Sequence, residues 1–324
     1  MVKKYIVTCC ILITSILSGN NSWAEEWPKD RPIRIIVPQA AGGTNDIITR
    51  IIAIELGKAL NQSIVIENKP GASGAIGLQL AANAIPDGYT FAIASDSSAI
   101  LSATRESLSW RLGRDLIGVA LIGDQPIGIA VSSQTPYLTL ADLLNAAKSK
   151  PGTISYGTSG QGTNQHYIGE WLAKSADFKW THIPYKGGGQ AIIDLTGGTT
   201  PAAVLGFAPL LSQQKKGGIR ILALTSAQRN PNATNVPTLA ELGFKDIIIT
   251  QWVGVVAPKN LPPAILNKVS KEILLILEKP EIKLKLLDVG LTARPMPASE
   301  FEVFLKNSIQ RWIELNKILK IPVD

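Results

Sequence analysis

Residues 33–46 read Ile33-Arg34-Ile35-Ile36-Val37-Pro38-Gln39-Ala40-Ala41-Gly42-Gly43-Thr44-Asn45-Asp46, and this stretch decides the fold. A short β-branched run is stopped by proline, a turn of small residues follows, and a helix begins. From Asp46 to Leu60 the apolar residues at 47, 48, 51, 52, 56 and 60 recur with helical spacing, which marks one buried face. A strand feeding a helix through a short turn is the unit of α/β architecture.

The unit recurs outward from there. Ile64-Val65-Ile66 predicts a second strand, closed by Asn68-Lys69-Pro70-Gly71. A small-residue helix over 74–84 then leads through Pro86-Asp87-Gly88 to a strand over 89–94. Further strands are predicted over 153–156, 181–184, 202–205 and 219–224, with helices near 163–174, 188–195 and 207–216. The C-terminal part reads as helices around 262–278, 281–289 and 298–318. Two long apolar stretches, 117–131 and 247–257, read as crossover strands between two lobes. The expected fold class is therefore α/β with two lobes, each a mainly parallel sheet flanked by helices. Lobe one covers 27–124 plus 251–324, and lobe two covers 125–250.

The first 24 residues stand apart. Lys3 and Lys4 precede an apolar run from Ile6 to Leu17, and Ser22-Trp23-Ala24 fits the small-x-small rule for cleavage near Ala24. This is the pattern of a cleaved secretory signal peptide and places the mature chain in a periplasm. Cys9 and Cys10 both lie in the leader, so the mature chain has neither disulfide nor thiol chemistry. Loss of Lys3 and Lys4 lowers the net charge from +7 to +5, a modest excess that favours anionic small ligands. The positive residues are scattered and an exported chain rarely meets nucleic acid, so nucleic acid is not an expected partner. No later apolar run reaches the roughly 18 residues of a spanning helix.

Three turns carry the chemistry. They are Gln39–Asp46, Gly157-Thr158-Ser159-Gly160-Gln161-Gly162-Thr163-Asn164, and Tyr185-Lys186-Gly187-Gly188-Gly189. Each follows a strand and opens a helix, where unpaired amide N–H groups and the helix dipole favour anions. Ligands of open α/β sheets lie beyond the carboxyl ends of the strands, which is where all three turns fall.

The chain also resembles the extracytoplasmic receptors of the tripartite tricarboxylate transporter family, the Bug-type solute-binding proteins. Arg31-Pro32-Ile33-Arg34-Ile35-Ile36-Val37-Pro38, Ala41-Gly42-Gly43, Asp46 and Arg50 carry the resemblance at the start. Val65-Ile66-Glu67-Asn68-Lys69-Pro70-Gly71-Ala72 and Pro86-Asp87-Gly88-Tyr89-Thr90 continue it. His182-Ile183-Pro184-Tyr185-Lys186-Gly187, Val236-Pro237-Thr238-Leu239-Ala240-Glu241-Leu242-Gly243 and Trp252-Val253-Gly254 extend it to most of the mature chain, in order. The resemblance implies a type II-like periplasmic-binding-protein fold that closes on a small carboxylate, di- or tricarboxylate or aromatic acid, and delivers it to a membrane permease. It implies contacts from Gln39, Ala40, Ala41, Gly42, Gly43 and Thr44 in one lobe. Thr158, Ser159, Gly160, Gly162 and Thr163 face them from the other. Ser95, Asp96 and Ser97 occupy a further ligand-facing loop.

The sequence departs from the family pattern at several points. Gln39 stands where phenylalanine is common, Pro201 and Leu205 where acidic residues are, and Arg111 where aspartate is usual. Lost acids argue against a ligand ammonium group, although Asp96 is placed to restore that role. Leu205 would instead admit an aromatic or aliphatic ligand body.

Asp46 suits either ligand contact or the helix dipole at its own first turn, and the dipole is favoured. His166 and His182 lack the spacing of a metal site, so local hydrogen bonds are expected of them. Tyr185 and Lys186 are further candidates, with Lys186 adding positive potential. No cofactor, metal or catalytic residue is expected, and a closing cleft suggests a monomer. A periplasmic hydrolase using Ser159 with His166 is a weaker reading, because no orienting carboxylate is evident and the glycine falls one residue early for a nucleophile elbow. A receptor feeding a signalling system is a further reading.

Overall fold

The computed structural model describes residues 27–29 and 31–321; the leader and its cleavage site lie outside the described residues. Strand β1 (Ile33–Val37) pairs in parallel with β2 (Ile64–Asn68) and β3 (Thr90–Ser95). Its alternation sends Ile33, Ile35 and Val37 into one core and Ile36 into another on the opposite face. In the second half β5 (Ser155–Thr158) pairs in parallel with β6 (Thr181–Pro184) and β7 (Ala202–Gly206).

Two long strands join these halves. β4 (Leu116–Ser132) and β9 (Thr250–Pro258) run antiparallel from Leu116↔Pro258 to Pro126↔Thr250. Up to Pro126 the neighbour of β4 is β9, and from Ile127 onward its neighbours are β7 and β8 (Ile219–Leu224). The parallel pairing expected from the sequence thus holds in the outer strands. The crossovers introduce antiparallel pairs at the centre, and the whole sheet is mixed. β10 (Thr292–Pro297) adds an antiparallel edge to β4.

Helices cover both faces. In chain order they are α1 (Thr44–Leu60), α2 (Ala75–Ala82), α3 (Asp96–Thr104), α4 (Leu140–Ser149), α5 (Asn164–Ala176), α6 (Gly188–Gly197), α7 (Phe207–Lys215), α8 (Pro263–Glu278), α9 (Pro280–Asp288) and α10 (Ala298–Leu319). α1 ends at Asn61, which takes the left-handed conformation that closes a helix. α3 starts with a capping box between Ser95 and Ser98, α4 with one between Thr139 and Asp142. Pro280 forces α8 and α9 apart, because it cannot continue the preceding helix.

α10 packs on α3 and β4 and also reaches the second half of the molecule. Tyr167 Oη donates to Asn316 Oδ1 at 2.5 Å, and Arg311 Nη2 donates to the Ile248 carbonyl at 3.3 Å. Trp252 of β9 is core, edge-on to Phe301 and Phe304, with its indole N–H on Ser308 Oγ. Among the described residues no helix is long and apolar enough to cross a membrane.

Candidate functional site

The carboxyl ends of both outer strand sets face each other across a narrow cavity of about 20 Å³, room for about one water. It is lined by Gln39, Gly43, Thr44, Asn45, Ser95, Ser97, Ser159, Gln165, Gly188, Gly206, Pro209 and Gln251. All but Gln39, Ser159 and Gln251 are the N-cap or first turn of α1, α3, α5, α6 or α7. Five helix N-termini therefore converge on one space, and none of the lining side chains carries a charge. The positive ends of those helices set the local potential.

The two halves touch directly around this space. Ala40 N donates to the Lys186 carbonyl at 3.3 Å, and Ser73 Oγ reaches the Gln161 carbonyl. Ser97 Oγ donates to Asn164 Oδ1 at 3.3 Å. A string of amides crosses the cleft. Ser159 donates from both N (2.8 Å) and Oγ (2.5 Å) to Gln165 Oε1, and Gln165 Nε2 donates to Gln251 Oε1 at 3.4 Å. Gln251 Nε2 then donates to Asn45 Oδ1 at 3.3 Å, and Asn45 Nδ2 to Gln39 Oε1 at 2.7 Å. A backbone N–H can only donate, so the Ser159 amide fixes which end of each following side chain is oxygen.

The sequence candidates divide by where their side chains point. Gln39, Gly43, Thr44, Ser95, Ser97 and Ser159 line the cavity. Ala40, Ala41 and Gly42 form the backbone of the same turn, which Asp46 braces from behind. Asp46 accepts from Gly42 N at 2.9 Å, from Arg50 Nη2 at 2.9 Å and from Asn68 Nδ2 at 3.0 Å. Burial pushes its carboxyl up, but the hydrogen bonds from Arg50, Gly42 and Asn68 outweigh it and hold the group below the usual range.

The remaining candidates point away from the cavity. Thr158 Oγ1 bonds His182 Nε2 at 2.7 Å, and Thr163 Oγ1 caps α5 and also bonds the Gly160 carbonyl. His166 takes the Gly162 N–H on Nδ1 at 3.2 Å and stacks on His182 with ring centroids 4.0 Å apart. Burial drives the two imidazoles down to about 4 and about 3, the neighbouring His166 adding to the fall at His182. Tyr185 Oη donates to Asp194 Oδ2 at 2.6 Å, and the Lys186 side chain is exposed.

Asp96 and Leu205 take positions other than the sequence suggests. The Asp96 carboxylate accepts from Trp252 N at 2.8 Å and from Trp312 Nε1 at 3.2 Å, so it faces the core and not a ligand ammonium. Leu205 is buried in a separate core cluster of the second half, beside Phe207 and Leu210, and admits no ligand body. Asn45 and Gly188 lie in turns that the sequence marks, without standing out there. Gln165, Gln251, Gly206 and Pro209 were not singled out. For Gln251 the signal is an uncharged polar residue inside an apolar crossover.

Both the sequence and the fold have known relatives. Residues 48–321 match the family model described as Tripartite tricarboxylate transporter family receptor. The chain belongs to that family. The protein BugT of Bordetella pertussis is 30% identical over 291 residues, covering 89% of each chain. A solved periplasmic transporter superposes with a TM-score of 0.88 at 31% identity, covering 92% of this chain and 100% of its own. MatC of Rhodopseudomonas palustris, solved with bound malate, gives 0.83 at 25% identity over 88% of this chain and 98% of its own. A second R. palustris protein, solved with adipate, gives 0.87 at 28% over 91% and 99%. The family is thus one of two-lobed solute-binding receptors.

Proposed function

We propose that this receptor captures a small carboxylate between its lobes in the periplasm and hands it to a membrane permease. The observation that carries the reading is the convergence of five helix N-termini on a cavity without a charged side chain. Such a site attracts an anion through backbone N–H groups and dipoles alone. The malate and adipate held by the two R. palustris relatives support the same class of ligand. Even a two-carbon acid exceeds a one-water cavity, so the lobes must part to admit it and close again.

The lobe boundaries at 124/125 and 250/251 are supported by the change of partner in β4 just past Gln125, which stands opposite Gln251. A binding role without catalysis is supported by the candidate hydrolytic pair. Ser159 Oγ is committed to Gln165 and His166 Nδ1 to the Gly162 N–H, so nucleophile and base serve other partners.

The test is a thermal-shift screen on the mature chain, unfolded and refolded to strip carried-over ligand. A ligand that binds only the folded form raises the melting temperature. A selective rise with one group of carboxylates is expected, confirmed by calorimetry. A rise with neutral sugars or amides and none with any carboxylate would overturn the reading.

A further inference from the structure

Gln125 stands just behind the cavity wall, 1% exposed. Its Oε1 accepts from Ala208 N at 3.0 Å, in the first turn of α7. That bond to a backbone donor fixes the amide, so Nε2 is the end turned the other way. Nε2 has no hydrogen-bond partner among the described residues, and buried donors are seldom left so. It lies 2.8 Å from the point where a Cβ on Gly206 would stand. Gln251 Oε1 lies 3.1 Å from the same point, and Thr44 Oγ1 crowds it too. Gly206, Gln251 and Thr44 all line the cavity.

Just behind the wall at Gly206 an unpaired donor stands beside an acceptor whose identity the amide string has fixed. A carboxylate oxygen can use only the donor, and an ammonium group only the acceptor. A hydroxyl uses both, accepting from Gln125 Nε2 and donating to Gln251 Oε1. We propose that Gln125, Gln251 and Thr44 form a hydroxyl-reading subsite, and that the ligand is a compact hydroxylated dicarboxylate. This rests on the carboxylate reading above and adds the group that distinguishes one acid from another. It also excludes amino dicarboxylates, whose ammonium would meet Gln125 Nε2 head-on.

Calorimetric titration of the refolded protein with succinate, each enantiomer of malate, methoxysuccinate and aspartate tests it. One malate enantiomer should bind about tenfold more tightly than succinate, the effect of one well-made buried hydrogen bond. Methoxysuccinate, which accepts but cannot donate, should lose that gain in the unaltered protein. Gln125→Met keeps the side-chain length without the amide and should bring the malate-to-succinate ratio to within about twofold. Equal affinity for succinate and malate, or a preference that methoxysuccinate shares, would overturn the subsite and leave the carboxylate reading standing. If no dicarboxylate binds at all, the subsite falls, and the carboxylate reading is decided separately by the wider thermal-shift screen.

Discussion

Asp96 accepts two N–H groups inside the core, one from the β9 backbone and one from the indole of Trp312. Burial dominates nonetheless and pushes the carboxyl up to about 7, with the Trp252 and Trp312 bonds pulling it partly back. Between its ordinary 3.8 and that value the folded chain holds a proton that the unfolded chain has released. Stability from this group is therefore lost as pH rises through the window. Asp96→Asn cannot titrate, so between about pH 5 and pH 8 the melting-temperature gap between parent and variant should be widest at the acid end. It should narrow towards about pH 8, by roughly 3 kcal/mol of stability. A gap that stays constant with pH would refute the assignment. His166 and His182 act in the opposite sense, since their depressed values make folding weaker as pH falls below about 6.5. Both histidines are present in parent and variant, so the difference isolates Asp96.

Where the turns between elements meet, glycine decides how closely the lobes approach. A Cβ on Gly189 would collide with the Ala41 carbonyl of the facing turn. Gly189→Ala should therefore leave each lobe folded and hold the cleft ajar, weakening ligand binding by at least about tenfold with little change in melting temperature of the unliganded chain. Unchanged affinity by calorimetry would show that the turns separate when ligand is bound. Elements with strong periodicity are legible in the sequence: α1, the strands ending at Val37 and Leu224, and both crossovers. β10 is not, because Arg294 and Pro295 break any apolar alternation, as an edge strand allows. α3 opens at Ser95-Asp96-Ser97, which the sequence presents as a loop because the capping chemistry of a short helix is indistinguishable from a turn. The cleft's glycine turns were legible for the same reason that helices are: their residues are consecutive. The amide string was not, because Gln39, Asn45, Ser159, Gln165 and Gln251 meet only after both lobes have formed.

At the scale of the whole molecule, the lobes are joined by β4 and β9 and spanned behind by α10. Asn316, near the end of α10, holds Tyr167 of α5 in the other lobe. Asn316→Ala removes that bond and should shift the unliganded chain towards open forms. A larger radius of gyration by small-angle X-ray scattering is expected, with ligand restoring the compact value. An identical radius in parent and variant would show that the contact survives opening.

The position of that contact has a consequence for traffic through the cleft. A door is held by its latch as much as by its hinges, and here the latch lies on α10. How readily the mouth opens should then depend in part on the side of the protein that the ligand never sees.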